Sequence, residues 1–124
     1  MARFEIDGKE YELKLTYKAV KYLDGLHEGG ALALVGRALQ GDLDTFTNVV
    51  HAGLFHTGEN FAKDKVEQAL EEAFEAEKLD YETVHKTVNE VLLDSFFYRK
   101  IVANLKAQNP EAFEQLDKLL TTTE

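Results

Sequence analysis

From Val91 to Tyr98 the chain reads Val-Leu-Leu-Asp-Ser-Phe-Phe-Tyr, within a stretch from Tyr81 to Gln108 that contains neither glycine nor proline. That stretch is expected to form one long helix. A helix packed against a core needs apolar residues on a single stripe. Here Val88, Val91, Leu92, Ser95 and Val102 make one, and Leu93, Phe97 and Ile101, four apart, make a second that begins about 100° away. Phe96 and Tyr98 widen the coverage further. A domain of 124 residues can hide such a helix only by placing it centrally or by burying it against another chain.

The remaining helices and a hairpin follow from local signals. Phe4 and Ile6 alternate with Arg3, Glu5 and Asp7, and Tyr11, Leu13 and Leu15 alternate with Glu10, Glu12 and Lys14. Asp7-Gly8 between them supplies the positive φ angles of a type I′ turn. Thr16 is the expected cap of a helix running to about Glu28, with Val20, Leu23 and Leu26, and Tyr17 or Ala19, on its buried face. Gly29-Gly30 stops it. A short helix over 31–40 buries Leu32, Val35 and Leu39, and its Gly36 suggests a close backbone approach. Asp42 or Asp44 caps the next, which carries Phe46, Val49, Val50, Gly53 and Leu54. Asn60 is the expected cap of an acidic helix with Val66, Ala69, Leu70, Ala73 and Phe74 on one stripe, and Asp80 caps the long helix. After the break at Asn109-Pro110, Ala112, Phe113, Leu116, Leu119 and Leu120 predict a short amphipathic tail, and 121–124 fray. The fold class expected is mainly α with an N-terminal β-hairpin, a compact helical domain of about six helices. All of 1–124 forms one domain: hairpin 1–15, helical core 16–108, and tail 109–124.

Composition excludes several functions. The chain has no cysteine, which removes disulfides, thiolate metal sites and cysteine nucleophiles together. No window approaches the ~18 apolar residues needed to cross a bilayer, and no apolar segment follows Arg3 as it would in a signal peptide; a soluble intracellular protein is expected. Net charge is −9, and Glu59 to Glu82 holds nine acidic residues against three lysines, a field that repels phosphate backbones. No nucleic acid and no membrane are expected as partners.

The search for chemistry ends without a site. His51 and His56 are five apart, the wrong spacing for shared metal ligation on one helix, and His27 and His85 have no partner at metal-binding spacing. Gly25, Gly29 and Gly30 do not form a phosphate loop. Asp42-Leu43-Asp44 lacks the further ligands of a calcium loop. Ser95, the sole serine, sits in a helix rather than on a sharp turn. Thr57-Gly58-Glu59-Asn60 is better explained as a helix-ending turn than as a polar site. Neither catalytic residues, nor a metal, nor a cofactor is expected, and the chain is not expected to be an enzyme. Function then rests on a partner surface. Leu54, Phe55, Leu93, Phe96, Phe97, Tyr98 and Ile101 are the candidates, either as a groove or self-association face or as core. The surplus of apolar surface favours a homo-oligomer, a dimer or higher.

Four blocks resemble a known family. They are Phe4 to Thr16 (Phe-Glu-Ile-Asp-Gly-Lys-Glu-Tyr-Glu-Leu-Lys-Leu-Thr), Leu39 to Phe46 (Leu-Gln-Gly-Asp-Leu-Asp-Thr-Phe), Ala52 to Phe61 (Ala-Gly-Leu-Phe-His-Thr-Gly-Glu-Asn-Phe) and Asp94 to Lys100 (Asp-Ser-Phe-Phe-Tyr-Arg-Lys). In this order they are similar to tail assembly chaperones of long-tailed (siphovirus-type) phages and prophages of Gram-positive bacteria. The resemblance implies a protein that binds the tape-measure protein in the cytoplasm of the bacterial host. It would keep that client soluble while the tail tube polymerises, and be missing from the mature virion. It further implies a tail tube partner reached through a longer frameshift product. The alternatives are a small structural head–tail or tail virion protein, which would share the size and acidity, and a regulatory interaction protein of the host.

Overall fold

The computed structural model describes residues 2–112, 114 and 115. Two antiparallel strands, β1 (Arg3–Ile6) and β2 (Lys9–Glu12), precede six α-helices: α1 (Tyr17–Leu26), α2 (Gly30–Leu39), α3 (Leu43–Gly53), α4 (Lys63–Glu75), α5 (Tyr81–Asp94) and α6 (Phe96–Gln108). A 3-10 turn, Phe55–Thr57, follows α3. The chain is therefore mainly α with an N-terminal hairpin, as its patterning predicts. Of the expected tail, Phe113, Leu116, Leu119, Leu120 and 121–124 lie outside the described residues.

The hairpin turns where expected. Asp7 (φ 53°) and Gly8 (φ 79°) both hold the left-handed conformation of a type I′ turn, and Phe4 pairs with Tyr11 across the ladder. Two four-residue strands are not stable alone, so the rest of the molecule must hold them. Ile6 and Leu13 are buried, the Tyr11 ring meets Phe61 edge-on at 5.2 Å, and the Lys14 N–H donates to the Gly53 carbonyl at 3.0 Å. His56 Nε2 lies 2.7 Å from the Glu12 carbonyl oxygen, and Lys65 pairs with Asp7 at 2.9 Å.

Three of the helix caps form as the residue types dictate. The Thr16 hydroxyl accepts from the Ala19 N–H at 3.3 Å, Asp42 accepts from Thr45, and Asp80 from Thr83. The fourth does not. Asn60 sits at φ 53° in the loop, and α4 starts from Ala62 without a side-chain cap. Of the alternatives Tyr17 and Ala19, Ala19 is the buried one; Leu26, Leu32 and Phe74, expected in the core, are exposed, while Leu34 and Ala38 of α2 are buried.

The largest departure is at Ser95. The long helix breaks there, with Ser95 at φ −89° and ψ 114°, an extended conformation between α5 and α6. In an unbroken helix Tyr81 and Leu105 would be about 36 Å apart. Instead they line one cavity together with Gly36 and Leu39, and α2 packs against both α5 and α6. The two segments form a helical hairpin with Ser95 as its turn. The Ser95 carbonyl accepts from the Arg99 N–H at 2.9 Å, and Arg99 Nε reaches back to the Leu93 carbonyl at 2.7 Å, satisfying groups that the break leaves open. Val84, Val88, Val91, Leu92, Tyr98 and Val102 are all buried as a result. The apolar surplus that called for a central position or a second chain is met largely by folding back.

Close backbone approach occurs at Gly53 and Gly41, not at Gly36. A Cβ on Gly53 would meet Leu13 Cβ at 3.2 Å, one on Gly41 would meet Tyr81 Cε1 at 2.8 Å, and one on Gly36 would meet nothing within 4 Å. Gly41 also has φ +82°. Gly41→Ala should therefore destabilise the fold by roughly 1–3 kcal/mol, whereas Gly36→Ala should stabilise it by about 0.5–1 kcal/mol. Urea denaturation midpoints of the two variants, read against the parent, give the sign of each.

Candidate partner-binding surfaces

The break at Ser95 decides which of the predicted partner residues are available. Tyr98 is fully buried, and burial together with the Asp24 carboxylate pushes its hydroxyl up to about 12, so it stays protonated. Leu54 is buried as well. Phe55 is partly buried in a separate cluster, edge-on to Tyr22 at 5.0 Å and to His51 at 5.1 Å, beneath Lys18 Nζ. Four of the seven stay at the surface near the break. Phe96 is 84% exposed and Phe97 50%, while Leu93 and Ile101 are half-buried. The Phe97 ring rests edge-on against Tyr98 at 5.2 Å, which ties the ridge to the core. Asp94, Arg99 and Lys100 neighbour it in the chain, all exposed, with Arg99 Nε held at the Leu93 carbonyl.

A second apolar surface lies elsewhere and was not anticipated. α3 packs against both α4 and α5, but α4 and α5 scarcely touch each other. Between them runs a groove of about 400 Å³. Its floor is Phe46, Leu70 and Val84, and its walls include Leu43, Phe74 and Tyr81, which are 57%, 64% and 53% exposed. Glu67, Glu71 and Asp80 stand along it, with no lysine or arginine among its lining residues. The signals were in view: Leu43 lies between two aspartates at a helix start, and Tyr81 follows the cap Asp80. Phe74, spaced four from Leu70, has the pattern of a core residue and hid the third.

The titratable groups are structural. His51 bridges the Tyr22 hydroxyl (3.2 Å) and the Phe61 carbonyl (2.8 Å), and His27 Nε2 faces Asn48 Nδ2 at 3.2 Å. His85 is buried, edge-on to Tyr81 at 4.2 Å, and its Nε2 has no hydrogen-bond partner among the described residues. Among the described residues no cluster of three His, Asp or Glu could hold a metal, and no helix is long and apolar enough to cross a membrane. Asp42 sits below the usual carboxylate range because the Thr45 hydroxyl and N–H both donate to it, which marks it as a cap and not as an acid–base group.

Compared with known proteins, residues 3–106 match the sequence model of a family described as phage tail assembly chaperone protein, TAC. No curated protein and no solved structure matches the chain.

Two tests bear on this arrangement. Truncating Tyr98 to alanine should cost roughly 3–5 kcal/mol as for any buried aromatic, while Phe96→Ala should change stability by no more than about 0.5 kcal/mol; denaturant titration of both variants checks the contrast. Burial also holds the His85 imidazole below its ordinary value of 6.5, and His27 follows for the same reason with Arg37 adding to it. The unfolded chain therefore takes up protons that the folded chain refuses. Stability is expected to fall as pH drops below about 6.5. His85→Leu should flatten part of that fall in thermal melts recorded between pH 7.5 and 5.5.

Proposed function

We propose that this chain, which belongs to the phage tail assembly chaperone family, binds the tape-measure protein stoichiometrically and keeps it soluble while the tail tube forms. The match over residues 3–106 is the observation on which the reading rests. Tape-measure helices present long apolar and amphipathic stretches, and a holder for them needs apolar surface displayed on a well-solvated body. The exposed Phe96 and Phe97 and the groove beside Phe74 supply such surface, and a net charge of −9 keeps the body dispersed. Work of this kind needs neither metal nor cofactor. It takes place in the host cytoplasm, and the chaperone leaves before the virion is complete. A longer frameshift product would link it to the tail tube protein.

The ridge of Leu93, Phe96, Phe97 and Ile101 is assigned to self-association. In a two-fold contact the same patch meets itself, so residue i of one copy faces residue j of the other and the reverse. The neighbouring Asp94 and Lys100, both exposed and opposite in charge, are suited to that exchange, because the two signs can pair across the axis. Tyr98, whose ring meets Phe97, supports the ridge from the core, while Leu54 is core beside Phe55 and His51.

Co-expression tests the function directly. The tape-measure protein should be recovered in the soluble fraction with this chain and in the pellet without it, and the chain should be missing from purified virions. Abundant presence in finished particles would instead make it a structural tail component. Phe96→Glu with Phe97→Glu should keep the helical circular-dichroism spectrum and shift the sedimentation coefficient to that of a monomer.

A further inference from the structure

We propose that the groove between α3, α4 and the start of α5 receives an amphipathic helix that carries basic residues beside its apolar stripe. This rests on the chaperone reading for the helix's source, a stretch of the tape-measure client, but the chemistry of the occupant is argued from the groove itself. Leu43, Phe74 and Tyr81 come from three separate elements and converge on one concave surface, floored by Phe46 and Leu70. Its volume of about 400 Å³ has room for the few side chains that one helix face presents at i, i+3, i+4 and i+7. The groove exists because α4 and α5 both lean on α3 and leave the space between them unfilled.

Charge selects the occupant. Glu67 and Glu71 are exposed, and neither makes an ion pair among the described residues. Asp80 adds a third carboxylate, held in place by the Thr83 N–H and hydroxyl at 2.8 and 2.7 Å. A second copy docked here by the same patch would bring these carboxylates face to face, a like-charge contact that costs affinity. The chain's own C-terminal segment carries Glu111, Glu114 and Asp117 against the single Lys118, and suffers the same repulsion. Lysine and arginine beside an apolar stripe satisfy both halves of the surface. The arrangement also separates two jobs in space: the convex ridge at Phe96 and Phe97 with mixed charges for like chains, and the concave groove with one sign of charge for a different one.

Fluorescence anisotropy on the full chain tests this with two labelled synthetic peptides. Both have leucines at i, i+3, i+4 and i+7; one has lysines on the flanks of that stripe and its twin has glutamates. The lysine peptide should bind at least tenfold more tightly than the glutamate peptide, and the gap should narrow as salt is raised. Leu43→Ala with Phe74→Ala should weaken the lysine peptide tenfold or more with an unchanged circular-dichroism spectrum, and Glu67→Lys with Glu71→Lys should reverse the preference. Equal binding of the twins, no binding of either, or binding untouched by both pairs of substitutions overturns the assignment. So does a self-associating parent that becomes monomeric in Phe74→Ala, since the groove would then hold a second copy. If Leu43→Ala with Phe74→Ala still keeps the tape-measure protein soluble on co-expression, the groove falls and the chaperone function stands. If the parent chain binds the lysine peptide as expected but leaves the tape-measure protein insoluble, the function falls and the groove's preference stands.

Discussion

Without the reversal of the chain at Ser95, α5 and α6 could not both pack on α2. A continuous helix from Tyr81 to Gln108 would span about 40 Å and carry two apolar stripes that no molecule of this size could cover. Folding it back lets α2 lie against both halves, and places Val84, Val88, Val91, Leu92 and Val102 in the same core as Leu34, Val35 and Ala38. What is left over is small and local: Phe96 at the outside of the turn, with Phe97 half covered beside it. The exposed ridge is thus the residue of a packing problem solved inside one chain.

Why that turn was not legible beforehand is a matter of forces at different range. Thr16, Asp42, Asp80 and the Asp7-Gly8 pair announce themselves because a cap or a tight turn is satisfied within three residues, and all four act where the sequence places them. Ser95 gives no such sign. It is flanked by neither glycine nor proline, and its hydroxyl makes no capping bond. The break is held by Arg99 reaching the Leu93 carbonyl and by contacts of α5 and α6 with α2, far away in the chain. The same limit explains Leu26, Leu32 and Phe74. Periodicity shows that a helix has an apolar face, but how far its neighbours extend over that face is settled by tertiary packing. Gly36 misled for a related reason, since a glycine inside a helix signals close approach only if another backbone is there to approach.

Against this, α3 is a helix whose reading and structure agree throughout. Phe46, Val49, Val50, Gly53 and Leu54 are all buried, because α1, α2, α4 and α5 each pack on it. A hub of that kind fixes its neighbours' positions without fixing their contacts with one another. The space between α4 and α5 is a direct consequence, and the acidic face of α4 decides what sort of molecule could enter it. Fold and charge therefore act on recognition separately: one sets the shape of the recess, the other the sign of its rim.

The attachment of the N-terminal hairpin has a consequence for how the protein is made. Its strands are held by the Gly53 carbonyl, by His56, by Phe61 and by Lys65, none of which has been synthesised when the hairpin leaves the ribosome. An isolated pair of such short strands does not persist in water. The hairpin must then wait, unpaired, for roughly fifty further residues before it can settle, and loop closure over that distance falls late in folding. The hairpin's inward residues, Ile6 and Leu13 among them, thus stay uncovered until the middle of the chain has appeared.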